Sequence, residues 1–192
     1  METSMKKSLG AKIIVGATPV WVIGTYDKDS RPNIMTAAWA GVCCSDPPCI
    51  GVALRKATYS YGSIVERKAF TVNVGTVQYA KEVDWFGIAS GNDTDKFAKS
   101  GLTAVKSELV DAPYIQEFPL ILECRLRHSI EIGLHTQFIG EIIDVKADES
   151  VLDEKGIPVI DKVSPFLFNP ETRTYYKTGD FLGKAFFIGK EL

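Results

Sequence analysis

The chain has 192 residues, of which 45% are hydrophobic and 24% charged, with a formal net charge of −2 and a pI near 5.8. These proportions are those of a globular domain with its own core, and they exclude a largely disordered chain. The 22 basic residues are dispersed, which excludes the positive patch of a nucleic-acid-binding protein. No apolar segment approaches the roughly 20 residues that span a bilayer, and the opening METSMKKSLGAK lacks the apolar run of a secretory signal. We therefore expect one cytoplasmic domain over residues 1–192, with no membrane or nucleic-acid partner.

The first part of the chain predicts β-strands separated by turns. Residues rich in β-branched and aromatic side chains alternate with turn formers such as residues 27–33 (DKDSRPN). The predicted strands are residues 19–26 (PVWVIGTY), 34–42 (IMTAAWAGV), 49–54 (CIGVAL) and 69–74 (AFTVNV). Between the last two, residues 59–67 predict a helix, in which Ser63 and Glu66 have the spacing of a capping box.

The second part predicts short helices followed by two long strands. Helical spacing of apolar residues predicts a helix over residues 77–89, and residues 93–100 predict a shorter one. The β-rich residues 120–145 divide at Ile132 and Gly133 into two strands, and the last thirty residues predict loops and short pieces. Because strands dominate and do not alternate with helices, we expect a mainly β, antiparallel barrel, closed or nearly closed, with a few short helical insertions.

Three of the four cysteines lie within seven residues, in CCSDPPC at positions 43–49. Adjacent Cys43 and Cys44 point to opposite faces if they lie on a strand, and the chain has no C-x2-C pair of the kind that binds zinc. We interpret the cysteines as small buried hydrophobes. A thiol or metal site built on Cys43, Cys44, Cys49 and Cys124 is the alternative.

Three further stretches contain residues that suit a binding site. In RKATYS (55–60), two cations end a strand and hydroxyl groups precede a helix, which suits a phosphate, although a solvated strand end with an N-cap has the same pattern. SGNDTDKF (90–97) is a turn leading into a helix with a lysine and an aromatic residue, or a capped surface helix. GLHTQFIGEI (133–142) places His135 on a strand, where a structural histidine is the alternative.

In combination, these stretches resemble the flavin reductase-like family, whose members fold as an FMN-binding split barrel, and they are most similar to its flavoredoxins. The resemblance spans residues 6–189. It is carried, in order, by KKSLGAK, by TPVWVIGTYDKDSRPNIMTAAWAGVCCSDPPCIGVALRKATYSYGSI, by SGNDTDKF and by GLHTQFIGE. It implies an antiparallel, Greek-key-like split β-barrel that binds FMN and forms a homodimer with the flavin near the seam between subunits.

The resemblance also implies roles for individual residues. Along the isoalloxazine ring it places Asn33, Met35, Thr36, Ala37, Ala38 and Trp39, with Ser45 near the ring or ribityl chain. It assigns the 5′-phosphate to Arg55, Lys56, Tyr59 and Ser60. Lys96 and Phe97 would reach the flavin from the second loop, and Phe166 and Phe168 would shield it from solvent. His135 would stand at the ring face that a hydride donor approaches.

The function that follows is FMN-dependent electron transfer or flavin reduction, with electrons taken from NADH, NADPH or a reduced protein partner. A module that binds flavin or a protein partner without catalysis is an alternative from another class, and a thiol or metal redox protein is a third. A thiol–flavin relay through Cys43 and Cys44 is a minor hypothesis within the first.

Overall fold

The computed structural model describes residues 5–191, so the first four residues of the predicted amino-terminal segment, and the last residue of the predicted domain, lie outside the described residues. The strands are β1 (Thr18–Pro19), β2 (Trp21–Tyr26), β3 (Pro32–Ala37), β4 (Ala40–Ser45), β5 (Pro48–Arg55), β6 (Ala69–Val74), β7 (Ala104–Lys106), β8 (Pro113–Ile115), β9 (Leu120–Ile132), β10 (His135–Ala147), β11 (Phe166–Asn169) and β12 (Thr174–Lys177). The helices are α1 (Tyr59–Arg67), α2 (Ala80–Ile88), α3 (Lys96–Ser100) and α4 (Ile160–Val163), with 3-10 turns at Val77–Tyr79, Glu149–Val151 and Ile188–Glu191. Among the described residues, no helix combines the length and the apolar character that crossing a membrane requires.

A seven-stranded antiparallel sheet forms the body of the molecule, in the order β3-β2-β6-β9-β10-β5-β4. Its two edge strands, β3 and β4, are consecutive in the chain and joined by residues 38–39 alone. The sheet must therefore curl until its edges meet at this corner, where the Ala53 N–H donates to the Trp39 carbonyl at 2.8 Å. No ladder joins β3 to β4 in residues 5–191, so the barrel is split and the predicted mainly β fold is confirmed.

The two long strands lie where the sequence predicts them. β9 and β10 pair from Ile132↔His135 to Leu120↔Ala147, with register shifts at Ile139/Gly140 and at Ile142/Asp144. Gly140 permits the close packing beneath the first shift, because a Cβ there would lie 2.5 Å from the Phe70 ring. Phe70 belongs to a buried core cluster, so this close approach is part of the core packing.

Two hydrophobic clusters form the core. One fills the barrel and includes Ile23, Val52, Phe70 and Phe138. The other lies between the barrel and the helices and includes Val22, Ile34, Val83, Phe86, Phe97, Phe118 and Phe166. The second cluster fixes α2 and α3 against β3, and this contact sets the wall of the candidate site.

Several predicted elements differ from the structure. The strand predicted over residues 34–42 is two strands, because the barrel corner interrupts it at residues 38–39. The capping box is wrong, because α1 already begins at Tyr59, after Thr58, and Ser63 is buried inside the helix. The helix predicted from residue 93 begins at Lys96, after Asp95, whose side chain accepts from Ala98 N at 3.0 Å.

The carboxy-terminal region, predicted as loops and short pieces, contains the β11–β12 hairpin. β11 also pairs with β1, so the three form a small second sheet. The short pair β7–β8 was not predicted either. These strands have four residues or fewer, too few for periodicity to indicate them.

Candidate functional site

An apolar cleft of about 280 Å³ opens at the corner where the barrel edges meet. Its walls are Val20, Met35, Thr36, Ala37, Ala38, Trp39, Ala53, Leu54, Arg55, Thr58, His135, Phe168 and Tyr175. We call it the ring chamber. Because one wall is the end of β3 with residues 38–39 and the opposite wall is β5, the chamber is a direct product of the split between the sheet edges.

Two flat side chains flank the ring chamber. The rings of Trp39 and His135 lie within 15° of parallel, with their centroids 6.5 Å apart. Trp39 is 37% exposed, and His135 begins β10 directly opposite Arg55 of β5. Planar, largely apolar walls of this kind suit a flat aromatic group.

A second, polar chamber of about 220 Å³ continues from the first and shares Met35, Thr36 and Thr58 with it. The remainder of its lining is Asn33, Ala57, Tyr59, Ser60, Phe86, Gly87, Ile88, Ala89, Ser90, Gly91 and Lys96. The start of α1 forms one side of the chamber and the end of α2 forms the other. The N-terminus of the nine-residue α1 presents unpaired N–H groups and a partial positive charge there, which favours an anion.

Lys96 is the buried cation of the polar chamber. It is only 3% exposed, and its Nζ donates to the Phe86 carbonyl at 2.8 Å. No carboxylate of residues 5–191 forms a salt bridge with it, although every other strongly buried charge has such a partner or a backbone donor. Burial lowers the pKa of Lys96 to about 8. An amine in this position has donor capacity left for an anionic or strongly accepting ligand.

A buried pair positions the other polar groups of this chamber. Asn33 Nδ2 donates to Ser60 Oγ at 2.9 Å, which ties β3 to the first turn of α1. Gly91 lies against this pair, because a Cβ at Gly91 would lie 2.5 Å from Asn33 Oδ1 and 2.6 Å from the Tyr59 ring. The close approach of the 90–91 loop therefore requires glycine at position 91.

The start of α1 is fixed from outside the chamber by Asp27. Its carboxylate accepts from the Tyr59 hydroxyl at 2.7 Å, from the N–H groups of Asp29 and Arg31, and from Arg31 Nε at 2.9 Å. Burial alone would raise the pKa of Asp27, but these hydrogen bonds outweigh it and lower the pKa to about 2. Tyr59 is thus held in place by an ionised partner.

Most of the predicted site residues meet in the two chambers. The lining includes Asn33, Met35, Thr36, Ala37, Ala38, Trp39, Arg55, Tyr59, Ser60, Lys96, His135 and Phe168. Four others lie elsewhere in the structure. Phe97 and Phe166 are buried in the second core cluster, Ser45 is exposed at the end of β4, and Lys56 pairs with Glu131 at 2.7 Å. Their predicted flavin contacts stay predictions.

The structure places further residues at the site. Tyr175 lines the ring chamber and was not predicted, whereas Thr58, which lines both chambers, and Gly91, which lines the polar one, lie within the predicted stretches RKATYS and SGNDTDKF but were given no individual role. The aromatic-rich segments FLFN and TYYK on either side of PETR were the available signal for the hairpin that carries Tyr175. The SGNDTDKF motif indicated a turn at Gly91, but the need for glycine there arises from the approach of Asn33 and Tyr59, which are distant in sequence.

The cysteines lie outside both chambers. Cys49 and Cys124 are buried, as predicted, and burial raises the pKa of each thiol. The prediction is wrong for Cys43 and Cys44, which are exposed because residues 42–45 at the end of β4 are exposed on both faces of the sheet. Within residues 5–191, no three His, Cys, Asp or Glu side chains are grouped to hold a metal ion.

Comparisons with known proteins agree with this geometry. Residues 16–177 match the family model of the flavin reductase like domain. The structure is similar to the flavoredoxin of Desulfovibrio vulgaris (Miyazaki F), with 58% identity and a TM-score of 0.92 over 96% of this chain and 100% of that one. It is also similar to the flavoredoxin of Methanosarcina acetivorans, with 30% identity and a TM-score of 0.91 over 98% and 99% of the two chains.

Two relatives in sequence extend the comparison. An uncharacterized protein of Archaeoglobus fulgidus is 38% identical over 125 residues, which are 65% of this chain and 71% of that protein. A protein named high molecular weight rubredoxin, from Moorella thermoacetica, is 32% identical over 126 residues, which are 62% of this chain and 52% of that protein. The matched part of the second relative is therefore about half of a longer protein.

Proposed function

Because the chain belongs to the family of the flavin reductase like domain, we propose that it is an FMN-binding flavoprotein of the flavoredoxin kind. Its activity is electron transfer or NAD(P)H-dependent flavin reduction. The observation that carries the proposal is the junction of a flat apolar chamber with a polar one that contains buried Lys96.

The two chambers fit the parts of FMN. The isoalloxazine is flat and largely apolar, and it suits the ring chamber between Trp39 and the β11–β12 hairpin. The phosphate is a dianion at neutral pH, and it suits the N-terminus of α1 with Ser60 and Lys96 beside it. Arg55, at the end of β5, lies where it can add charge at the join between the chambers.

A bound flavin supplies the redox chemistry, and the chain supplies orientation and electrostatics. Lys96 neutralises negative charge in a site that excludes water, so its effect there is larger than on the surface. Phe168 and Tyr175 cover the ring chamber and limit the access of water to it. We assign His135, which lines the ring chamber at the start of β10, to the side from which an electron donor approaches.

The electron donor distinguishes a protein-to-protein electron carrier from an NAD(P)H-dependent flavin reductase. A protein donor is supported by the name of the Moorella thermoacetica relative, a high molecular weight rubredoxin. NADH and NADPH are the other donors that the resemblance to the flavin reductase-like family implies. The alternative of a non-catalytic binding module requires a pocket without any donor.

The test is a visible spectrum of the purified protein after addition of FMN, followed by anaerobic addition of NADH, NADPH and reduced rubredoxin. Bound flavin that bleaches with any of these donors supports the proposal and identifies the donor class. Bound flavin that none of them bleaches favours the binding module. A protein that binds no FMN contradicts the proposal.

We also propose that the protein forms a homodimer. The support is a set of exposed apolar side chains at the β9–β10 turn, where Ile130, Ile132 and Leu134 are 49%, 60% and 65% exposed. A cluster of this kind is typical of a surface that another chain covers. Light scattering coupled to gel filtration should give twice the mass of 21.1 kDa, and the variant Ile132→Glu should shift it towards the monomer.

We further propose that residues 1–192 form one cytoplasmic domain. The support is that β1, near the start of the chain, pairs with β11, near its end, while β2 and β9 both pair with β6. Limited proteolysis should therefore leave one resistant core. Two stable fragments that separate without denaturant would contradict it.

A further inference from the structure

The β11–β12 hairpin forms one side of the ring chamber. Phe168 and Tyr175 are directly opposite each other in its register, their ring centroids are 5.5 Å apart, and both line the chamber. On β11, Phe166 is buried in the core and packs edge-on against Tyr175, with centroids 5.2 Å apart. The aromatic wall of the chamber thus belongs to a short hairpin that is anchored in the core by Phe166.

The outer strand of this hairpin has few attachments. β12 pairs with β11 alone, and all four of its residues are exposed. The inner strand β11 is joined to β1 by only two residue pairs. Burial and ladder contacts therefore hold β11 more firmly than β12, and β12 is the part that can move away from the chamber.

One side-chain hydrogen bond ties β12 to another element. The Tyr175 hydroxyl donates to Asp84 Oδ1 at 2.8 Å, and in the described part of the chain it is the only side-chain hydrogen bond from β12 to a residue outside the hairpin. Asp84 lies on α2, which is fixed to β3 because the Thr36 hydroxyl donates to the Val83 carbonyl. The end of α2 is a wall of the polar chamber. The bond therefore connects the cover of one chamber to the wall of the other.

The protonation of the Tyr175 phenol favours a stable hydrogen bond to Asp84. Burial, and then the hydrogen bond to Asp84, raise the pKa of Tyr175 to about 12, so the phenol keeps its proton at physiological pH. It therefore remains a hydrogen-bond donor to the Asp84 carboxyl group.

We propose that Tyr175 and Asp84 form a latch that controls how fast flavin enters and leaves the ring chamber, an inference that rests on the proposed function. The latch joins two groups of the protein and contains no ligand atom. Breaking it favours the open hairpin whether or not flavin is bound. Both the association and the dissociation rate constants should then rise together, while the Kd changes little.

The test uses stopped-flow FMN fluorescence with the full chain and the variants Tyr175→Phe, Asp84→Ala and the double variant. Each single variant should raise both rate constants by about threefold to tenfold, as expected for an exposed charge-assisted hydrogen bond, and leave Kd within about twofold. The rate constants of the double variant should be no higher than those of either single variant, because both substitutions break the same hydrogen bond. Amide exchange of residues 174–177 should also become faster in each variant, without added flavin.

Tyr176→Phe is the matched control, because Tyr176 lies next in β12, is 53% exposed and lines neither chamber. Its rate constants should equal those of the wild type. Three results would each overturn the latch while leaving FMN binding intact. They are unchanged rate constants in Tyr175→Phe, a rise in the dissociation rate constant alone, and rate increases in the double variant that equal the product of those in the single variants. A wild-type protein that binds no FMN would instead overturn the proposed function, and the latch with it.

Discussion

Lys96 Nζ and the main-chain oxygen of Phe86 are joined by a hydrogen bond of 2.8 Å in the wall of the polar chamber. Phe86 lies in the last turn of α2, where unpaired carbonyls carry the partial negative charge of the helix. A helix C-terminus thus holds the cation on one side of the chamber, and the N-terminus of α1 faces the same chamber from the other. An anion between them is attracted from both sides.

Replacing Lys96 by methionine should weaken FMN binding and stabilise the flavin-free protein. The lost charge-assisted contact is worth about 1.5 to 3 kcal/mol, or about 10-fold to 100-fold in Kd. Removing a buried amine whose pKa is lowered to about 8 should raise the free energy of unfolding by about 1 to 2 kcal/mol after screening is allowed for. Fluorescence titration with FMN and urea denaturation measure the two effects.

The matched control for this variant is Lys99→Met, which removes an exposed lysine from the same helix, α3. It should change neither quantity. Opposite signs for affinity and stability exclude misfolding as the cause of weak binding in Lys96→Met. An FMN affinity equal to that of the wild type would show that Lys96 does not face the bound cofactor.

The affinity for FMN should fall at alkaline pH. The pKa of Lys96 is lowered to about 8 in the protein, and an anion beside it must raise that pKa, so the charged form binds better. Kd should be flat between pH 7 and about 8, because the phosphate is already ionised, and rise by up to about tenfold per pH unit above that. Calorimetry at pH 9 should detect proton uptake on binding, and Lys96→Met should abolish both effects.

The sequence predicted the strands that carry the site better than it predicted the site's own geometry. The composition of β2 and β5 and the long run of β9 and β10 indicated strands because their apolar or β-branched content extends over six residues or more. The break at residues 38–39 was invisible, because Trp39 continues the apolar pattern and the corner is imposed by closure of the barrel. Such a break depends on strands distant in sequence.

In the candidate site too, features set by local sequence were predicted, whereas features set by distant strands were not. Tyr59 and Ser60 at the start of a helix were predicted from local residues, and the structure places both in the polar chamber. Phe166 and Phe168 were both predicted at the flavin; Phe168 lines the ring chamber, whereas Phe166 is buried in the core and its flavin contact stays a prediction. The two rings share one face of β11 and both pack against Tyr175, so what separates them is their position along the strand, which residue type alone does not determine.

Because of Asp27, the free energy of unfolding should decrease as the pH falls below about 4. The pKa of Asp27 is lowered from 3.8 to about 2, so its contribution is fully present above about pH 4 and is lost as the pH falls through 2. Asp27→Asn should therefore lower the free energy of unfolding by about 1 to 2 kcal/mol at pH 7, allowing for solvent screening at Arg31, and by little at pH 2. Asp29→Asn is the control, because Asp29 is more exposed and 3.5 Å from Arg31. Equal losses at both pH values would contradict the assignment.

Two glycine-to-alanine substitutions should have opposite effects. At Gly91 a Cβ would lie 2.5 Å from Asn33 Oδ1 and 2.6 Å from the Tyr59 ring, so Gly91→Ala must displace groups of the polar chamber. We expect a loss of about 1 to 3 kcal/mol in unfolding free energy and an FMN affinity at least about tenfold weaker, since a displacement near 1 Å is enough to disrupt a preorganised site.

Gly62 provides the contrast, because it lies inside α1 with nothing within 4 Å of the added Cβ. Gly62→Ala should stabilise the protein by up to about 1 kcal/mol through helix propensity alone, with the FMN affinity unchanged. Thermal denaturation and FMN titration of both variants measure these effects. If Gly91→Ala binds FMN as tightly as Gly62→Ala, the 90–91 loop does not shape the cofactor site, and the polar chamber must be assigned to another ligand.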